Sequence, residues 1–243
     1  MFYDILDKKR KEILPLFNKF KKDFYLAGGT ALALQLGHRD SADFDFFSQK
    51  KINTLNLFED LRRIFKGHKI IKIQEEKNTL TVIIDENIKV SFFTYPYFLL
   101  YKTINEKNLK LASVRDIGCM KLSAVVNRAT NKDYIDLYFI LHEIPLAELL
   151  ILAKLKFPEL DKNLILKSLT YFKDLDCGQI KFKHNHKLSF NTVKKYLKIE
   201  VNKVALKSSF SSWKDLIGIA DKFSMDIKYL QKEIKNSKNS WKN

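Results

Sequence analysis

The sequence contains few cysteines and no long apolar segment. Only Cys119 and Cys177 occur among its 243 residues, too few for a disulfide framework and typical of reduced thiols in a cytoplasmic protein. The N-terminal stretch "MFYDILDKKRKEILPLF" alternates apolar and charged residues, and the apolar stretch Val90–Tyr101 is short and interrupted by Pro96. We therefore expect neither a signal peptide nor a membrane-spanning helix, and we expect a cytoplasmic location.

The chain also lacks the signatures of several enzyme classes. It has no Walker-type P-loop, no evident Ser/His/Asp arrangement, no internal repeat and no low-complexity insert. His184, His186 and the nearby Cys177 resemble half of a zinc site. No convincing fourth ligand accompanies them, so a surface loop is the better interpretation.

The sequence has an excess of positively charged residues. The formal net charge is +16, and residues 181–243 hold 15 lysines against five acidic residues. Such a surface suits nucleic acid, nucleotides or anionic membrane, although a merely lysine-rich cytosolic protein has the same composition. The C-terminal lysines, interleaved with Phe190, Tyr196, Trp213 and Tyr229, form either a phosphate-tracking face or an ordinary solvated surface.

Hydrophobic periodicity divides the chain into two parts. Residues 3–20 have the spacing of an amphipathic helix; a strand over 24–28, a short helix and the strand "ADFDFFS" follow. A helix over 54–67 and a meander of three strands come next, and from "VRDIGCMKLSAVVNRA" onward the pattern is helical. The sequence thus predicts an α+β fold, with a mixed β-sheet flanked by helices in residues 1–112 and a mostly helical, basic domain in residues 113–243.

Two glycines separate the first strand from the helix that follows it. At Gly28 and Gly29, backbone N–H groups at the helix start and the helix dipole favour an anion such as a triphosphate. Thr30, the next residue, either caps the helix or contacts a phosphate oxygen. A Gly-Gly turn alone is a weak signal, because tight turns that only pack on a sheet have the same residues.

Two aspartates lie one residue apart in the next strand. Because strand side chains alternate, Asp43, Asp45 and Phe47 share one face, and Phe44 and Phe46 face the core. Two carboxylates this close repel each other, and a divalent cation with its preference for oxygen ligands removes that repulsion. An Mg²⁺ ion bridging the pair and a nucleotide's phosphates explains them better than two unrelated acids on a solvated edge strand.

This combination resembles the DNA polymerase β-type nucleotidyltransferase superfamily, and "GGTALALQLGHRDSADFDFF" is similar to the AbiEii/AbiGii toxin family within it. The later blocks "KVSFFTYPY", "SVRDIGCMKLSAVVNR" and "KDYIDLYFIL", and more weakly "LKSLTYF", extend the resemblance over residues 24–172. It implies Mg²⁺- or Mn²⁺-dependent transfer of a nucleoside monophosphate from an NTP to an acceptor hydroxyl. Some relatives act on the 3′ end of tRNA, which implies an RNA acceptor bound by the basic C-terminal domain. It also implies the toxin of a toxin–antitoxin or abortive-infection system with a cognate antitoxin.

The resemblance also implies roles for particular residues. Asp43 and Asp45 correspond to the metal-binding pair, Lys121 to the lysine that contacts the triphosphate, and Asp136 to the carboxylate of the "KDxxD" block. Asp133 and Asp136 share one helix face, and either can orient the acceptor hydroxyl or act as general base. Lys121 is alternatively a solvent-exposed lysine on an amphipathic helix.

Other charged residues near these motifs have two interpretations. Asp133 alternatively pairs with Arg128 or Lys132, or lies in the first helical turn against the dipole. Arg39 either contacts a phosphate or pairs with a carboxylate on the neighbouring strand. We interpret His38 as structural.

One position departs from the superfamily's pattern. Many members carry a third carboxylate on a later strand, which completes a two-metal site. In "IKVSFF" Ser91 takes that position. Either the site binds a second metal only with substrate, or Asp85 or Asp136 substitutes, or activity is lost. A decayed transferase fold that only binds nucleic acid is therefore the alternative function. A protein or aminoglycoside acceptor is an alternative within the enzyme class, which the basic C-terminal quarter disfavours.

Overall fold

The structure is a computed structural model that describes residues 1–206 of the chain. The predicted helix "MDIKYLQKEIKN", with Trp213 and Tyr229, lies outside the described residues. Among residues 1–206, no helix has both the length and the apolar composition required to cross a membrane.

Seven strands within residues 1–206 form one mixed sheet. They are β1 (Tyr25–Ala27), β2 (Phe44–Ser48), β3 (Ile70–Glu76), β4 (Thr79–Ile84), β5 (Ile88–Thr94), β6 (Ile104–Asn105) and β7 (Lys110–Leu111). Their order across the sheet is β3-β4-β5-β2-β1-β7-β6. Strand β2 lies near its middle, antiparallel to β1 and parallel to β5. The predicted meander is confirmed as β3, β4 and β5. The two-residue strands β6 and β7 were not predicted, because two residues show no periodicity.

Within residues 1–206, three α-helices accompany the sheet and five follow it. The predicted α+β fold, with a mixed sheet first and helices after it, is confirmed; the division into domains at residues 112 and 113 stays a prediction. The helices are α1 (Lys8–Ile13), α2 (Gly28–Leu36), α3 (Thr54–Ile64), α4 (Val114–Asn127), α5 (Asn131–Glu143), α6 (Leu146–Lys156), α7 (Lys162–Thr170) and α8 (Phe190–Leu206).

The N-terminal helix predicted over residues 3–20 is not continuous. The chain instead forms a 3₁₀ turn at Tyr3–Ile5, then α1, then a 3₁₀ segment at Leu14–Phe20. Pro15 has no N–H to donate to the carbonyl of Lys11, and its ring crowds that carbonyl. The helical spacing was correctly recognised, but the proline ends the α-helix after six residues.

The core joins the sheet to the helices. The rings of Phe44 and Phe46 pack on Phe17 at centroid distances of 4.9 and 5.0 Å, which confirms that these two side chains of β2 face the core. Helix α2 packs against both α4 and α5, so the buried core continues from the sheet into the helical region. This packing places the segment after α2 beside α5.

Candidate active site

Helix α2 begins with Gly28 and Gly29, directly after β1. The N-cap residue Ala27 makes no side-chain capping bond, and the first N–H groups of a helix have no partner within it. Gly28 has a φ of +71°, and a Cβ there would lie 3.1 Å from Asp45 Oδ2. A Cβ on Gly29 would lie 2.7 Å from Arg39 Nη2. The two glycines therefore keep open the space between the helix start and the acidic strand.

The two aspartates lie at the start of β2, next to this space. Asp43 directly precedes the strand and is exposed, and Asp45 lies within it and is half-buried. Burial and the negative charge of Asp43 raise the pKa of Asp45, against the opposing charges of Lys89, Lys121 and Arg128. The raised pKa means that the nearby positive charges do not fully offset the burial of Asp45 and its repulsion by Asp43.

A divalent cation fits this pair. Among residues 1–206, no group of three His, Cys, Asp or Glu side chains is arranged to hold a metal ion. The described chain therefore offers two carboxylates here, and Mg²⁺ would take its other ligands from water and phosphate oxygens. A Cβ on Gly28 would fill the space beside Asp45. This space and the repulsion between the two aspartates suit an ion that arrives with a nucleotide.

Ser91 lies beside Asp45 in the sheet. The parallel register of β2 and β5 pairs these two residues, and Ser91 is 2% exposed. Neither carboxylate suggested as a substitute for the third ligand lies free beside it. Asp85 hydrogen-bonds to Nδ1 of His68 at 2.9 Å, and Asp136 is fully buried among other partners.

Thr30 is the third residue of α2 and does not cap it. The predicted capping role is wrong, because Ala27 occupies the N-cap position. The Thr30 hydroxyl instead donates to the carbonyl of Asp43 and lies 2.8 Å from Ser41 Oγ. It thereby holds the backbone that leads into β2, and its contact with a phosphate stays a prediction.

Asp136 lies at the centre of a buried ion-pair network. Arg39 donates to it from Nε at 2.7 Å and from Nη2 at 2.8 Å, and Lys121 Nζ lies 2.6 Å from its Oδ2. Although burial opposes them, Lys121 and Arg39 hold the pKa of Asp136 well below its ordinary value. These contacts fix Asp136 in the network. The general-base and hydroxyl-orienting roles considered for it stay predictions.

Asp133 holds Lys121 from the other side. Lys121 Nζ donates to Asp133 Oδ1 at 2.7 Å, and Arg128 Nε and Thr130 Oγ1 donate to Oδ2 at 3.0 and 2.7 Å. Despite burial, these contacts lower the pKa of Asp133. The interpretation that Asp133 pairs with Arg128 is confirmed. The alternative of a solvent-exposed Lys121 is wrong, because its side chain is 8% exposed.

Arg39 has the carboxylate partner that the sequence suggested, but on a different element. That partner is Asp136 on α5, rather than a residue of the neighbouring strand. The guanidinium still borders the glycine turn, since Nη2 lies close to Gly29. Its contact with a phosphate stays a prediction.

The network as a whole carries positive charge. Burial lowers the pKa of His38, whose Nε2 lies 2.8 Å from Asp136 Oδ1 and whose Nδ1 has no partner among the described residues. His38 is therefore neutral, and two carboxylates face the three cations Arg39, Lys121 and Arg128. Sequence reasoning assigned His38 a structural role but gave no signal for its partner, 98 residues away.

The histidines of the zinc-like motif serve loop packing. His184 Nδ1 lies 2.8 Å from the carbonyl oxygen of Gly37, and the ring of His186 packs on Phe139 at 4.9 Å. Cys177 is a free, exposed thiol. These contacts agree with the interpretation of this segment as a loop.

The described part of the basic region turns its aromatic rings inward. Phe190 packs edge-on against Phe172, and the Tyr196 hydroxyl donates to the carbonyl of Leu141 at 3.0 Å. Lys194 lies over the rings of Phe172 and Phe190. In this part of α8, a nucleic acid would therefore meet lysines rather than stacking aromatic rings.

Comparison with known proteins was made by sequence and by structure. A family model described as "Nucleotidyl transferase AbiEii toxin, Type IV TA system" matches residues 16–197. The "Uncharacterized protein aq_aa25" of Aquifex aeolicus (strain VF5) is 42% identical over 156 residues, which span 63% of this chain and 75% of that protein.

Two solved structures show the same fold. MenT4, the nucleotidyltransferase toxin Rv2826c from Mycobacterium tuberculosis H37Rv, is 14% identical with a TM-score of 0.61, covering 97% of this chain and 92% of that one. JHP933 from Helicobacter pylori is 18% identical with a TM-score of 0.54, covering 84% and 93%. At these identities the likeness concerns the fold alone.

Proposed function

The chain belongs to the AbiEii nucleotidyl transferase toxin family, and we propose that it is a Mg²⁺-dependent enzyme that transfers a nucleoside monophosphate from an NTP to an RNA hydroxyl. The observation that carries the proposal is the carboxylate of Asp45, whose pKa is raised beside Asp43 and which borders the open space at Gly28. The rest of the protein is strongly basic and suits a polyanion, but these two carboxylates repel phosphates unless a cation lies between them.

The acidic strand and the glycine turn would bind the two halves of a metal–nucleotide complex. Asp43 and Asp45 would hold the ion, which when bound supplies positive charge at the phosphate that reacts. The N–H groups at the start of α2 donate to phosphate oxygens, with the favourable end of the helix dipole behind them. Gly28 leaves the room that this approach needs.

Lys121 would contact the two phosphates of the NTP that leave as pyrophosphate. Its ammonium group has three N–H donors, and its contacts with Asp133 and Asp136 use two of them. The third is left for a phosphate oxygen, and a fixed cation stabilises the charge that develops on departing pyrophosphate. The two aspartates are positioning residues in this proposal, because they fix the Lys121 ammonium in place.

The acceptor is proposed to be RNA, and tRNA in particular. The support is the resemblance to relatives that act on tRNA ends and the excess of lysine in residues 181–243. Phosphate contacts by lysine give salt-sensitive affinity without base recognition. The family description as a toxin of a type IV system supports a toxin with an antitoxin as its counterpart.

A transfer assay tests the proposal. The protein is incubated with each of the four α-labelled NTPs, Mg²⁺ and total tRNA, and label in RNA is measured. We expect transfer from at least one NTP, abolished by Asp45→Asn and unchanged in Glu59→Gln, which alters an exposed residue of α3. Absence of transfer from every NTP to RNA, or full activity of Asp45→Asn, would refute it.

A decayed transferase that only binds nucleic acid is the second candidate, favoured by Ser91 beside Asp45. The two candidates differ in thermal melting with NTP, measured with and without Mg²⁺. The enzyme is stabilised by NTP only when Mg²⁺ is present. The decayed fold gives salt-sensitive RNA binding that ignores NTP, Mg²⁺ and the Asp43→Asn change.

A further inference from the structure

Strand β5 brings a lysine to the acidic pair. Its parallel register with β2 sets Ser91 opposite Asp45. Lys89 lies two residues before Ser91 on β5, as Asp43 lies two residues before Asp45, although Asp43 itself precedes β2. Because side chains alternate along a strand, Lys89 and Ser91 share the face on which Asp45 lies.

Lys89 differs from the other cations near the site. The other two are Lys121 on α4 and Arg128 at the end of that helix. Those two are already bound to Asp133. Lys89 is exposed and makes no ion pair within residues 1–206. Its charge is therefore available to whatever occupies the space beside the pair.

The charge balance of this face differs from that of a two-metal site. Three carboxylates attract two divalent ions in such a site. Here two carboxylates stand beside one ammonium group, Ser91 contributes none, and the described residues hold no third acidic ligand. A second divalent ion would lie next to Lys89 with less negative charge to hold it.

We propose that the site binds a single divalent cation together with its NTP, and that Lys89 supplies, on the strand face that carries Asp45, the positive charge that a second ion supplies elsewhere. Lys89 is thus a further residue of the active site, and Ser91 is part of a one-metal arrangement rather than a sign of decay. The inference rests on the proposed nucleotidyltransferase function.

Metal counting tests the inference without measuring activity. Bound Mn²⁺ is counted by electron paramagnetic resonance with an NTP analogue that cannot be cleaved between its α- and β-phosphates. We expect one ion per wild-type protein and two in Lys89→Glu, whose exposed position makes the change compatible with folding. Lys77→Glu, an exposed lysine of the β3–β4 turn, serves as control and should bind one.

Two tightly bound ions in the wild type would overturn the inference, and so would a single ion in Lys89→Glu. Wild-type protein that binds no ion and transfers no nucleotide contradicts the proposed function itself. Wild-type protein that transfers nucleotide with two bound ions contradicts only the one-metal arrangement.

A kinetic comparison adds a second readout. We expect Lys89→Met to lower kcat by about 10²-fold, the scale seen when a fixed charge-stabilising group is removed. The KM for NTP should change far less, because Asp43, Asp45 and Lys121 still bind the metal and phosphates. Lys89→Arg, which keeps the charge, should recover most of the loss. An unchanged kcat in Lys89→Met would refute the role of Lys89.

Discussion

Replacement of Asp136 by asparagine tests whether the buried network holds the fold together. The Asp136 side chain is 0% exposed, and its partners Arg39 and Lys121 are 6% and 8% exposed. Removing one member of a buried ion pair costs about 3–5 kcal/mol, because a charge is left buried without its partner. Lys121 retains Asp133, so we expect the lower end, about 3 kcal/mol, out of a total of about 5–15 kcal/mol.

Urea unfolding followed by circular dichroism measures this change. Asp60→Asn is the matched control, since Asp60 is 49% exposed and pairs with Arg63 on the surface of α3. The control should lose about 0.3 kcal/mol. Combining Asp136→Asn with Arg39→Met should destabilise less than the sum of the single changes, because the two side chains share one interaction.

The pH dependence has a definite sign. The pKa of Asp136 is held well below its ordinary value in the fold. Its contribution to stability is therefore complete above the unfolded pKa of about 4 and is lost as the pH falls through the folded pKa. Wild type and Asp136→Asn should differ by a constant amount at neutral pH and converge only in acid. Equal stability of Asp136→Asn and Asp60→Asn at neutral pH would refute the reasoning.

Three further changes test the geometry of the site. Gly28→Ala should destabilise by about 1–3 kcal/mol, because its φ of +71° is strained for alanine; thermal melting measures this, and Mn²⁺ binding should weaken as the Cβ approaches Asp45. Thr30→Val should cost about 1 kcal/mol in urea unfolding and lower kcat, because the carbonyl of Asp43 loses its donor; unchanged values in both assays contradict a positioning role. Mn²⁺ affinity should fall with decreasing pH more steeply in wild type than in Asp43→Asn, because Asp43 raises the pKa of Asp45 and favours its protonation; parallel pH profiles by calorimetry would contradict this.

Much of the fold could be predicted because its elements are periodic over short distances. The alternation of Phe44 and Phe46 with the acids predicted both the strand β2 and its faces. Helix α4 was predicted from the same kind of pattern. That pattern left open whether Lys121 contacts a phosphate or faces solvent, and it gave no indication that the side chain is buried. Helices α2, α5, α6 and α7 all pack on α4, so a charged face that an isolated helix would turn to water is buried here.

The partners of the candidate site residues could not be predicted for a related reason. Arg39 and Asp136 are 97 residues apart in the chain, and nothing near either one specifies the other. The sequence shows two charges of opposite sign, which fits a phosphate contact as well as an ion pair. Only the packing of α2 against α5 brings them together.

The acidic pair argues for function more strongly than the missing carboxylate argues against it. Asp45 carries a raised pKa beside Asp43, so the charged form of this carboxylate opposes stability in the absence of a ligand. A protein that only bound nucleic acid would also gain nothing from negative charge on the face that meets a polyanion. A divalent ion bound with an NTP offsets the charge of the carboxylates and allows this face to meet phosphates. Lys89, by supplying positive charge beside Ser91, explains how such a site can lack the third carboxylate and still act on phosphates.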